Sequence, residues 1–271
     1  VSLLATTLDG PEGRRVRVAE LGAGEPVILL HGYPDTLQGW SAVAPLLAQR
    51  LRVVAFDWPG MGRSDAWPGG MTPQAQADRL AALMDRWAID SAHVVGIDMG
   101  GQPALAFAAR HPARLLRLAV MNSLVLGDER TSWEIRVLRR FGWNRALLRH
   151  LPRAVFERAL RTSIPRGWRL PDDVRDDFSS CFREGAVREV IVRACAGYQG
   201  ALPALPELYE RIAHPTLVLW GARDRHFPPA QAERLAKLVP GARLEIIEGG
   251  EHWMPLHAPE EVAARLLTFL A

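Results

Sequence analysis

The chain has 271 residues, 48% hydrophobic and 23% charged, with a net charge of +3 and a pI near 9.3. That is enough apolar material for one large core. Lys237 is the only lysine, which removes the lysine of a phosphate-binding loop and argues against a Schiff-base cofactor. Between Arg130 and Arg169, eleven arginines face only Glu134 and Glu157; this reads as a solvated helical face, with an acidic partner docking there as the sharper alternative. No run approaches the roughly 20 apolar residues of a membrane span. The start, Val1 to Thr7, lacks a signal-peptide pattern, and its missing initiator methionine reads as trimming. Cys181 and Cys195 are isolated and read as reduced thiols. The expectation is a cytoplasmic monomer or homodimer with no nucleic-acid or membrane partner.

Ser2–Leu8 and Arg14–Leu21 read as a hairpin turning at Asp9-Gly10-Pro11-Glu12-Gly13. Pro26–Leu30 is a short buried strand, Leu37–Arg50 has helical periodicity, and Arg52–Phe56 is a further strand ending in a glycine-rich turn. Thr72–Ala88 is an amphipathic helix opened by a Thr-Pro cap. Strands follow at Ala92–Ile97 and Leu115–Met121, with an alanine-rich helix, Pro103–Arg110, between them. After Asn122 only helical patterning remains, at Thr131–Arg161, Pro171–Phe182 and Ala186–Gly197. Strands return at Pro215–Trp220 and Ala242–Ile247, followed by helices at Pro229–Leu238 and Pro259–Leu270. Strands alternating with helices predict a mostly parallel eight-stranded α/β sheet covered on both faces. Some ninety residues of inserted helix cannot join its core layers. The predicted division is a core of 1–122 and 213–271, with 123–212 forming a helical lid.

The chain is organised around Val94-Val95-Gly96-Ile97-Asp98-Met99-Gly100-Gly101-Gln102. An apolar strand, a sharp glycine-fenced turn and a helix form the setting in which G-x-S-x-G presents a nucleophile. Here the fenced residue is Asp98. A carboxylate is ionised at neutral pH and needs no base to attack. On an ester carbonyl it would give only a reactive anhydride. At an sp3 carbon with a good leaving group or a strained ring it gives a stable alkyl ester. The plainer alternative is that Asp98 caps the following helix.

Four motifs in order, HGYPD (His31 to Asp35), GIDMGG (Gly96 to Gly101), WGARD (Trp220 to Asp224) and GGEHW (Gly249 to Trp253), give the chain its resemblance to the α/β-hydrolase superfamily, most closely its Asp-nucleophile branch. The resemblance implies Asp98 as nucleophile, His252 as base and Asp224 as the acid that orients it. It implies an oxyanion hole from the backbone N–H groups of Met99 and Tyr33, used when water attacks the ester. Asn122 stands where some relatives carry the acid, and as an amide it could only support one. No cofactor is implied, and no His/Cys/carboxylate cluster has metal-ligand spacing.

Epoxide hydrolases and haloalkane dehalogenases share this scheme. Dehalogenases hold halide with a tryptophan after the nucleophile, where Met99 stands, and with a tryptophan or asparagine where Tyr33 stands. Fluoroacetate-cleaving relatives carry arginines after the nucleophile, and none is present. The resemblance is therefore closest to epoxide hydrolases, whose two lid tyrosines protonate the opening oxygen. Tyr198 matches one of them; the other has no tyrosine match, and His150 is the candidate substitute. Trp133, Phe141, Trp143 and Trp168 are expected to build the lid core and part of the pocket wall, with Tyr33, His150, Trp133 and Trp143 touching a small apolar substrate. His31, His226 and His257 read as structural. A dehalogenase, or a binding protein in which aspartate replaces a serine, remains open.

Overall fold

The structure is a computed structural model describing residues 2–128 and 130–271. Strands β1 (Thr6–Asp9) and β2 (Arg15–Leu21) form the expected hairpin. Strands β3 (Pro26–Leu30), β4 (Arg52–Phe56), β5 (Ala92–Ile97), β6 (Leu115–Met121), β7 (Thr216–Gly221) and β8 (Arg243–Ile247) run parallel to one another. The sheet order is β1-β2-β4-β3-β5-β6-β7-β8, with β2 antiparallel to β4.

Side-chain alternation explains why the central strands are apolar throughout. Ile28, Leu30, Val54, Phe56, Val94, Leu118 and Val120 face one core layer; Val27, Leu29, Val53, Ala55, Val95, Ala119 and Met121 face the other. Each layer is roofed by helices, so neither side of a strand can be polar. Helices α1 (Ala44–Leu47), α2 (Pro73–Arg86) and α3 (Gly101–Arg110) come from the first half of the chain. Between β6 and β7 lie α4 (Trp133–Leu138), α5 (Phe141–His150), α6 (Pro152–Ser163), α7 (Asp172–Arg183), α8 (Gly185–Ala201) and α9 (Leu205–Tyr209). The chain ends in α10 (Pro229–Leu238), α11 (Met254–His257) and α12 (Pro259–Leu270). Helices α2, α3 and α10 cover the first layer, and α1 and α12 the second. Among the described residues no helix is long and apolar enough to cross a membrane.

Three elements differ from expectation for local reasons. The first strand begins at Thr6 rather than Ser2, because Leu3 is held elsewhere: its N–H donates to Gln38 Oε1 at 2.7 Å and its carbonyl accepts from Gln38 Nε2 at 2.9 Å. The expected helix Leu37–Arg50 is a 3₁₀ turn, Leu37–Trp40, followed by the single turn α1. Pro45 has no N–H to donate, so it can open a helix but not continue one. The long helical stretch Thr131–Arg161 breaks into α4, α5 and α6, and Pro152 starts the last of these.

The inserted helices are tied to the core by a buried charge network. Arg17 of β2 donates to both Asp177 oxygens of α7, at 2.9 and 2.7 Å, and to Asp57 at 3.3 Å. Thr36 Oγ1 donates to Asp177 at 2.6 Å, and the Leu37 N–H to Asp57 at 2.8 Å. This network fixes the segment after β3, which carries Tyr33, against α7.

Candidate active site

Strand β5 ends at Asp98, whose φ of +49° is the left-handed backbone that a residue with a Cβ adopts only under constraint. The turn closes because its neighbours are bare. A Cβ on Gly96 would lie 2.3 Å from the Gly100 carbonyl oxygen, and one on Gly32 would lie 2.4 Å from the Asp98 Cβ. Ser123 Oγ donates to the Asp98 carbonyl at 2.5 Å, and the Asp98 N–H donates to the Asn122 carbonyl at 3.1 Å. The strained residue is thus clamped from the end of β6. Helix α3 begins without a side-chain cap, so the carboxylate is not committed to the capping role that the sequence alone allowed.

The two oxygens of Asp98 have different surroundings. Oδ2 accepts the Tyr33 N–H at 2.6 Å, and the Met99 N–H also reaches the carboxylate. Oδ1 lies 3.9 Å from His252 Nε2. On the other side of the ring, His252 Nδ1 meets Asp224 Oδ2 at 2.9 Å. The second Asp224 oxygen accepts the N–H groups of His226 at 2.7 Å and Phe227 at 3.1 Å. With Asp224 already saturated by donors and buried, Nδ1 is the protonated nitrogen and Nε2 faces Asp98. Asn122 supports this arrangement as an amide should. Its Nδ2 donates to the carbonyls of Glu251 and His252 at 3.0 and 2.9 Å, and its Oδ1 accepts the Gly221 N–H at 2.9 Å.

Burial raises the Asp98 carboxyl to about 6, against the opposing pull of the His252 charge and the Tyr33 N–H. Burial by itself would lower His252, but the charge and hydrogen bond of Asp224, followed by the charge of Asp98, raise it to about 9. Near neutral pH the pair is therefore carboxylate and imidazolium. Such opposed shifts in a cleft mark groups tuned for chemistry.

A cavity of about 270 Å³ opens over Asp98, walled by Met99, the inserted helices and the His226–Phe227 segment. Its size is at the lower end of small-molecule sites. Tyr198 of α8 lines it, with its hydroxyl next to Gln76 and near enough to Asp98 to feel that charge; burial raises its pKa, so the phenol keeps its proton. Trp133 also lines the cavity but is 53% exposed, which places it at the mouth beneath the Arg158 guanidinium, 5.2 Å from the ring centre.

Two expected contacts are corrected. Trp143 is 64% exposed, His150 is exposed, and neither lines the cavity. The buried stripe of α5 is Asn144 and Leu148; at 3.6 residues per turn, both residues lie more than about 100° around the helix from it. Phe141 is likewise exposed rather than part of a lid core.

The histidines read as structural divide. His31 holds the Trp58 N–H at 3.0 Å, and His257 accepts the Glu251 N–H at 3.1 Å. His226, by contrast, lines the cavity, edge-on to His252 at 5.0 Å between ring centres. Burial and the His252 charge depress it to about 4, so it stays neutral. Its nitrogens face Ser132 Oγ at 2.8 Å and Ser163 Oγ at 3.4 Å. The position of His226 two residues past Asp224 was a usable signal for it. Ser163 had none, since it arrives from α6, where its backbone carbonyl accepts the Trp253 N–H at 2.9 Å. Burial pushes the cavity-lining Cys195 thiol up to about 12, leaving it protonated. Among the described residues no group of three His, Cys, Asp or Glu side chains could hold a metal ion.

Comparison with known proteins places this geometry in a family. The alpha/beta hydrolase fold model matches residues 25–259. The chain is 28% identical over 259 residues to the dihydrolipoyllysine-residue acetyltransferase component of the acetoin cleaving system of Cupriavidus necator, covering 94% of this chain and 66% of that protein. It is 29% identical over 268 residues to 2-hydroxymuconate semialdehyde hydrolase of a Pseudomonas species, covering 96% of this chain and 91% of the relative. The structure of a thermophilic esterase from Thermogutta terrifontis superposes with a TM-score of 0.82 at 26% identity, covering 98% of both chains. The strand order and these likenesses agree, and the chain belongs to the alpha/beta hydrolase fold family as a hydrolase.

Proposed function

We propose that this hydrolase opens epoxides to vicinal diols through a covalent ester on Asp98. The observation that carries the reading is the divided carboxylate: Oδ2 is held by the Tyr33 N–H, and Oδ1 is left facing the cavity and His252. The relatives named above include an esterase and a semialdehyde hydrolase, for which carbonyl chemistry is natural. A carboxylate in the elbow does not suit that chemistry, because its acyl product would be an anhydride. It suits attack on saturated carbon.

In the first step Oδ1 bonds to a ring carbon, the carbon–oxygen ring bond breaks, and the departing oxygen takes the Tyr198 proton. In the second, His252 removes a proton from water, which attacks the Asp98 carboxyl carbon. Charge then develops on the oxygen beside the Tyr33 and Met99 N–H groups, where preorganised donors stabilise it. Collapse expels the diol oxygen, which takes the proton back from His252. The remaining water proton restores Tyr198 through solvent. The inserted helices act as the lid that keeps bulk water from the ester, and the apolar walls favour a small, largely hydrocarbon substrate. Met99 and Tyr33 offer no side-chain N–H to a halide, so no observation favours a dehalogenase.

The test is intact-mass analysis of His252→Gln mixed with reactive epoxides. The protein is expected to gain the full mass of one epoxide, and the adduct is expected to disappear when Asp98→Asn is added. An adduct on another residue, or none from any reactive epoxide or haloalkane, sinks the reading and leaves a binding protein.

A further inference from the structure

Among the described residues, the cavity wall carries one arginine that no acid neutralises. Arg158, the other arginine lining it, is paired with Glu134 at 2.6 Å. Arg139, at the end of α4, also lines the cavity and has no carboxylate within reach among the described residues. Its Nε donates to Gln199 Oε1 and its Nη2 to the Gly127 carbonyl at 3.0 Å. Both partners are neutral acceptors. They fix the plane of the guanidinium, and among the described residues no acceptor meets Nη1, which is not buried. Arg139 is half-buried, and Leu138, Leu147 and Val155 line the same cavity. A desolvated cation with an open donor edge in an apolar wall is set to receive an anion, because a charge-assisted bond there meets little competition from water.

We infer that Arg139 is a specificity determinant that binds a carboxylate on the substrate, so that the preferred substrate is an epoxide bearing an acid group at its far end. The inference rests on the proposed reaction for the word epoxide, but not for the binding site. A single arginine matches a monoanion. A phosphate dianion would leave a second charge uncompensated in a cavity that also holds Asp98. The opposing role, a clamp joining α4 to α8 through Gln199, would affect all ligands alike, and that difference makes the two separable.

Binding is measured by calorimetry on Asp98→Asn protein, which cannot form an ester, using hexanoate, hexanamide and hexyl phosphate. Hexanoate is expected to bind about tenfold to a hundredfold more tightly than hexanamide, as for a charge-assisted bond in a partly buried site, and more tightly than hexyl phosphate. Arg139→Gln is expected to erase the preference for acid over amide, and Arg139→Lys to keep part of it. Equal binding of acid and amide, or a preference that survives Arg139→Gln, overturns the inference. A stronger hold on hexyl phosphate overturns its monoanion part. A second arm uses His252→Gln with an epoxide carrying a terminal carboxylate and with its methyl ester. If neither gives an adduct while hexanoate is still preferred, the reaction is wrong and the anion site stands. If both give adducts at equal rates with Arg139 intact, the site is wrong and the reaction stands.

Discussion

Asp98 is held ionised in a place that disfavours its charge, and that has a measurable consequence for stability. The carboxyl is raised from 3.8 to about 6, chiefly by burial. The folded protein therefore keeps the proton through a window in which the unfolded chain has already released it. The contribution of Asp98 to stability is fully present below about pH 4, is lost as pH rises from about 4 to about 6, and stays lost above. A displacement of that size corresponds to about 3 kcal/mol. Asp98→Asn has nothing to titrate, and its amide can still turn its oxygen toward the Tyr33 N–H. At about pH 8 the variant is expected to be more stable by up to about 3 kcal/mol, equivalent to roughly 5–10 °C in Tm for a chain of this size. The gap is expected to close at about pH 4. Thermal unfolding of both proteins across that range measures it. A gain of equal size at both ends would point to packing rather than charge. No gain at about pH 8 would mean that the site does not penalise its own carboxylate, and the electrostatic account of Asp98 would fail.

Three further outcomes are expected. Tyr198→Phe is expected to slow adduct formation with an epoxide in the His252→Gln background by about 10²–10⁴-fold, and with a haloalkane far less; equal, small effects on both would show that Tyr198 only packs. Adduct formation depends on ionised Asp98, so in His252→Gln it should fall about tenfold per pH unit on the acid side, with a midpoint above about 6 because the cation that lowers Asp98 is gone; a midpoint near an ordinary carboxylate value would refute this. Gly32→Ala puts a Cβ 2.4 Å from that of Asp98 and should lower the rate of ester formation by about 100-fold or more in protein that still folds; an unchanged rate would mean the close approach is not needed.

Most of the sheet was legible because parallel strands covered on both faces must be continuous apolar runs, and each run here ends in glycine or a polar residue. Asp98, Asp224 and His252 sit in strand-end turns, where the local sequence dictates the conformation. The helices between β6 and β7 were less legible. Their arginine-rich sequence contains Trp133, Phe141 and Trp143, and apolar content alone suggested a core. What faces inward on α5 is Asn144 and Leu148, a phase set by α8 and not by α5 itself. The hydrogen bonds of Asn122 to Gly221 and the His252 loop join three distant segments, so sequence could exclude it as an acid but could not place it. His226 was misjudged for the opposite reason. It reads as an ordinary turn residue, although its place two residues past Asp224 was a local signal that the turn walls the cavity.

In the proposed reaction, the charges of Asp98 and His252 would let one site order two steps that need opposite conditions. Attack needs Asp98 as an anion, and the nearby imidazolium favours that form. Hydrolysis needs a neutral His252, which the resting site disfavours because Asp224 and Asp98 together hold it near 9. Forming the ester removes the charge of Asp98 while that of Asp224 remains. The histidine loses one of its nearby anions, leaving Asp224 and Asp35, when its proton becomes an obstacle, and its affinity for that proton falls. The neutral His226 at 5.0 Å adds no second cation to oppose it and, with its own pKa near 4, does not compete as a base. In the proposed reaction the covalent step would thus prepare the base for the next one through the loss of a single charge. Asp98→Asn imitates the electrostatic effect of the ester. In that variant His252 should titrate below the value it has beside the free carboxylate, which NMR of its ring protons can measure; an unchanged value would separate the two steps and leave their order unexplained.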